Sequence, residues 1–127
     1  MSFDVYFQRF VHGDADPGGG EQMHHVLQPF IVREEPEHHF ALVKVGDGTA
    51  DVYLDGDDMM ANRISGERPW DLLVVEGARA AGWVILPVGC PTCITDEAQR
   101  EHLPEGLDED VALVATGEEL LRVIHFS

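Results

Sequence analysis

The stretch from His39 to Leu54, HFALVKVGDGTADVYL, constrains the fold more than any other part of this chain. Two runs rich in Val, Leu, Phe and Tyr flank Gly46-Asp47-Gly48-Thr49. Glycines at that point can take positive φ, which a tight hairpin turn demands. On the second run Ala50, Val52 and Leu54 alternate with Asp51 and Tyr53, so one face is dry and the other wet. A chain organised around such a hairpin builds an antiparallel sheet and covers its apolar side with another layer.

The flanking segments supply candidates for that layer. FDVYFQRFV, residues 3–11, is β-rich and partly alternating, and predicts a first strand. DADPGGGE, residues 14–21, reads as a loop. Met23, Val26 and Leu27 stand at helical spacing before Pro29 and predict a short helix. REEPEHH, residues 33–39, and DGDDMMANRISGERP, residues 55–69, read as connections, the second with room for one helical turn. Trp70, Leu73, Val74, Gly77 and Ala81 predict a helix that has Pro69 near its start and Gly82 past its end. Gly77 inside a helix costs about 1 kcal/mol relative to Ala, which points to a close packing contact.

WVILPVG is a short continuous apolar run and predicts a buried strand. Thr95 followed by Asp96 and Glu97 reads as a helix start that ends before Pro104. DVALVA supplies a last strand, and TGEELLRVIHF opens on a capping box between Thr116 and Glu119. The order β-α-β-β-α-β, followed by α-β-α, matches the ferredoxin-like split βαβ arrangement. The expectation is one α+β domain over residues 1–127: a ferredoxin-like βαββαβ sandwich with a C-terminal αβα extension.

Charge limits the partners. Twenty-four acidic residues face 8 basic ones, a formal net charge of −16, and Lys44 is the single lysine. Nucleic acid is excluded as a partner, because phosphate contacts need clustered Lys and Arg, and anionic membranes are disfavoured likewise. An acidic surface serves solubility or a salt-rich cytoplasm; it also steers a protein toward a basic partner. If a partner is involved, the contact candidates are Glu34, Glu35 and Glu37, then Asp55, Asp57 and Asp58, then Glu105, Asp108, Glu109 and Asp110. Such a module docks without catalysis, as bacterial immunity proteins do on cationic toxins. An exposed sheet edge also leaves a homodimer open.

No run approaches the ~18 apolar residues of a membrane span, and the first 16 residues lack a basic, then apolar, leader pattern. Two cysteines cannot form a disulfide framework. A cytoplasmic protein with reduced thiols is the expectation.

Cys90-Pro91-Thr92-Cys93 resembles the C-P-x-C motif of glutaredoxin-type redox proteins, and it follows a predicted strand. The resemblance covers four residues. No basic residue in the motif stabilises a thiolate, and Asp96 and Glu97 oppose one. As a zinc half-site, Cys90 and Cys93 need further ligands, for which His102 is the nearest in sequence. The doublets His24-His25 and His38-His39 diverge on any regular element and chelate poorly by themselves. The third reading is a turn whose cysteines are partly buried.

Other motifs carry less. DGDD at residues 55–58 has Met60 where an EF-hand loop needs glycine. His12-Gly13-Asp14 lacks an evident nucleophile, and no G-x-S-x-G elbow, Walker loop or G-x-G-x-x-G turn occurs. Enzyme chemistry thus has little footing. Trp70, Trp83 and the Met59-Met60 pair serve either a core or an interaction surface.

Overall fold

The computed structural model describes residues 3–125. The predicted hairpin forms as β4 (Phe40–Val45) and β5 (Gly48–Leu54), with Val45 opposite Gly48. That register leaves Gly46 and Asp47 as a two-residue turn, with Gly46 at φ 62°. Ala50 and Val52 point into the core while Tyr53 is exposed, as the alternation required.

Among the described residues, nine strands form one sheet. Those not yet given are β1 (Val5–Val11), β2 (Asp14–Asp16), β3 (Ile31–Glu35), β6 (Asp58–Asn62), β7 (Val84–Pro87), β8 (Thr92–Ile94) and β9 (Val111–Leu113). Their lateral order is β3-β4-β5-β6-β1-β7-β8-β9, with β2 attached to β1. Every pairing is antiparallel except β8 with β9.

The ferredoxin-like expectation is therefore wrong: the protein is an α+β domain built on a nine-stranded mixed sheet. Strands β2, β3, β6 and β8 lie in segments that read as loops or connections. The consequence for topology comes mainly from β6. It inserts between β5 and β1, so β3 to β6 run as a meander that ends against the first strand instead of crossing over through a helix.

Three helical segments cover one face of the sheet. Helix α1 spans Gly20–Leu27 and passes into a 3₁₀ turn at Gln28–Phe30 that contains Pro29. The predicted helix after Pro69 divides into a π-helical stretch, Trp70–Glu76, and α2, Gly77–Ala81, which ends on left-handed Gly82. The N–H of Gly77 reaches back to the carbonyl of Leu72, the five-residue step of π winding. The side chain of Val74 lies outside the described residues. Helix α3 is Gly117–His125, and Phe126 of its predicted segment is likewise outside them. Its cap is as expected on one side: Thr116 Oγ1 accepts from Glu119 N at 3.1 Å. The Glu119 carboxylate accepts from the N–H of Ala115 in return.

Val5, Phe7, Val43, Val52, Met59, Ala61 and Ile85 of the sheet meet Met23 and Leu27 of α1, Leu73, Ala78 and Leu120 in the main core. Gly77 has the close contact its position demanded. A Cβ there would come within 2.4 Å of Met23 Sδ, so the missing side chain lets α1 and α2 approach. Thr95 does not cap a helix. Asp96 does, at a 3₁₀ segment, Glu97–His102, with Gln99 completing the box. This segment delivers Leu103 onto the sheet's second face, where it buries Val84 and Ile94 in a small core of their own. Among the described residues, no α-helix covers the rest of that outer face.

Candidate functional site

The fold divides the cysteine motif between a turn and a strand. Cys93 belongs to β8, opposite Ile85, and is completely buried in the main core. Burial, then the neighbouring Cys90 and Asp110, push its thiol pKa up to about 12. Cys90 lies in the preceding turn, half-buried, within a depression shared with Glu109 and Asp110. Both sulfurs point at local carbonyls, those of Val88 and Pro91. A thiolate is the reactive form of cysteine, and the burial of Cys93 disfavours it there. Iodoacetamide is expected to modify Cys90 in the native protein and Cys93 only after denaturation, read by mass spectrometry. Rapid native labelling of Cys93 would contradict this burial.

His102 serves a different contact. Its Nδ1 accepts the backbone N–H of His12 at 3.1 Å, its carbonyl accepts that of Gly13 at 3.0 Å, and the two imidazoles meet edge to face at 5.0 Å. The histidine fastens the β1–β2 turn to the 3₁₀ segment. Among the described residues, the one set of three donors close enough to share an ion is Glu35, Glu37 and His38, not Cys90, Cys93 and His102. Glu35 is already paired with Arg33 and the set is largely exposed, so it has no requirement for a cation.

Two of the three acidic clusters meet. Glu35 ends β3, Glu37 follows in the 3₁₀ turn Pro36–His38, Asp55 and Asp57 lie in the β5–β6 turn, and Asp58 opens β6. The carbonyl of His39 accepts from Leu54 N at 2.8 Å and joins the two turns at one end of the sheet. Within this group the roles differ. Glu34 faces His24 across 3.4 Å, Asp57 accepts the N–H of Gly18 at 2.8 Å, and Asp55 accepts that of Gly56 at 2.6 Å. Asp58 is exposed, and its carboxyl pKa is raised, chiefly by partial desolvation and then by Asp55 and Asp57. The third cluster, Glu105, Asp108, Glu109 and Asp110, lies toward the β8–β9 edge beside Cys90.

Between these acids and the middle of the sheet lies a feature that the sequence reading missed. On the outer face the registers put Leu86, Tyr6, Met60, Tyr53, Phe40 and Glu35 in one row across β7, β1, β6, β5, β4 and β3. Tyr6 is 46 % and Tyr53 38 % exposed, although both are large aromatic side chains. The row could not be found from periodicity within one segment, because each strand contributes one residue. At its β3 end the Arg33 guanidinium sits 5.5 Å above the Phe40 ring and is hydrogen-bonded to Glu35. Phe40 and Tyr53 are in ring contact at 5.3 Å. At the other end Tyr6, Tyr53, Met60, Asp55, Asp58, His38 and His39 enclose a slot of about 350 Å³.

The chain matches no protein-family model, no curated protein and no solved structure. No helix among the described residues is long and apolar enough to cross a membrane.

Proposed function

We propose that this protein is a non-catalytic binding module whose outer sheet face docks on a basic protein. The observation that carries the reading is the uncovered row of Tyr6, Met60 and Tyr53, with Asp55 and Asp58 beside it and Glu35, flanked by Glu37, at the β3 end of the same row. Monomeric proteins cover most large apolar side chains, and aromatic and Met residues with a polar rim are the usual make-up of a docking surface. The net charge of −16 supplies long-range attraction, and the rim supplies direction. The burial of Cys93 and the engagement of His102 Nδ1 by the His12 N–H give the competing thiol and metal readings no support.

The test separates the face from the charge. Two triple variants add the same charge: Glu37→Lys, Asp55→Lys and Asp58→Lys at the proposed face, or Glu105→Lys, Glu109→Lys and Asp110→Lys at the far edge. Binding to cytochrome c, a small basic protein, is measured by calorimetry at low salt. The first variant is expected to lose at least ~10-fold more affinity than the second, because close charge pairs outweigh distant screened ones. Equal losses would mean that overall charge alone acts, and the reading falls.

A further inference from the structure

Resting on that docking reading, we infer that the slot between Tyr6 and Tyr53 is the anchor point of the face and takes an arginine side chain of the partner. Tyr6 and Tyr53 both pair with Met60 from opposite sides, so the two rings rise from strands about 9–10 Å apart with the Met60 side chain as floor. A planar cation entering the slot lies between the two tyrosine side chains. Asp58 projects from the outer face of β6, and Asp55 stands at the turn beside it. No lysine or arginine among the described residues lines the slot.

The same sheet already shows the chemistry once, within its own chain. Along the row, Arg33 lies over Phe40 and bonds to Glu35, an arginine held by one aromatic face and one carboxylate. One step further, Tyr53, Tyr6, Asp58 and Asp55 repeat those elements without a cation of the chain's own. A guanidinium fits better than an ammonium, because it stacks flat on rings and offers a carboxylate two parallel N–H donors. The raised carboxyl pKa of Asp58 accords with this: partial burial, and then Asp55 and Asp57, disfavour its charge, which a cation would offset.

The experiment uses ¹H–¹⁵N spectra of the full chain titrated with N-acetyl-arginine methylamide, its neutral citrulline counterpart and N-acetyl-lysine methylamide. Arginine is expected to shift Tyr6, Tyr53, Met60 and Asp58 selectively, citrulline to leave them, and lysine to bind several-fold more weakly. Tyr6→Leu and Tyr53→Leu lie on the solvent side of their strands, and each is expected to weaken the arginine response about two- to fivefold. Shifts spread over all acidic residues alike, an equal response to citrulline, or equal binding of lysine would overturn the assignment. If arginine fails while the charge-reversal contrast above persists, the anchor is lost and the docking face stands. If that contrast fails as well, both fall.

Discussion

Trp83→Ala lowers the free energy of unfolding by about 3–5 kcal/mol, read as a drop in the urea midpoint with an unchanged slope. Trp83 is fully buried and is among the largest side chains that are. It stands just before β7, where its ring lies 6.5 Å from that of Phe7 on β1. Its backbone N–H reaches Ala78 O at 2.9 Å, and its indole Nε1–H donates to Gly18 O at 2.8 Å. One residue thus fastens the sheet, the end of α2 and the loop that leads into α1. Alanine would open a large cavity at the centre and leave the Gly18 carbonyl without its indole donor. Trp83→Phe separates the two effects. It keeps most of the apolar volume and gives up the indole hydrogen bond, so its cost is expected near ~1–3 kcal/mol. If both variants unfolded at the midpoint of the parent, Trp83 would not organise this core.

The elements that sequence made legible are those whose signal lies within one segment. The β4–β5 hairpin, β1, β7 and α1 each carry their own alternation, apolar run or helical spacing, and each forms where expected. The missed strands depend on neighbours. β3 reads Ile-Val-Arg-Glu-Glu and is an edge strand with most of its side chains exposed, so no apolar alternation marks it. β6 contains Asp58-Met59-Met60-Ala61-Asn62, residues of low strand preference, and becomes a strand because β5 and β1 offer backbone partners on both sides. β8 has three residues and is held by β7 and β9. Losing β6 from the reading also hid the site: without it Tyr6 and Tyr53 are two tyrosines 47 positions apart, and with it they share Met60. The acidic clusters were visible as composition, whereas the convergence of two of them depends on the junction of His39 with Leu54.

Gly20→Ala and Gly56→Ala place the same methyl group on two touching residues, and only the first is expected to destabilise the fold. Gly20 N donates to Gly56 O at 3.0 Å, which presses the first residue of α1 onto the β5–β6 turn. A Cβ on Gly20 would lie 2.5 Å from Asp55 O and 2.7 Å from Gly56 O, both backbone atoms that cannot swing aside. Alanine favours a helix interior by up to about 1 kcal/mol, but overpacking against fixed backbone opposes it, and a net loss of about 1–3 kcal/mol follows. A Cβ on Gly56 meets nothing within 4 Å, so Gly56→Ala is expected to stay within about 0.5 kcal/mol of the parent. Thermal and urea melts check the pair, and equal stabilities would show that α1 does not bear on the turn. The contact also links packing to docking, because the turn that Gly20 supports carries Asp55 beside the slot. A methyl group that displaces this turn moves the Asp55 carboxylate relative to Tyr6, Tyr53 and Asp58, which are fixed by their own strands. Gly20→Ala should therefore weaken the arginine response of the slot as well as the fold, while Gly56→Ala leaves both intact.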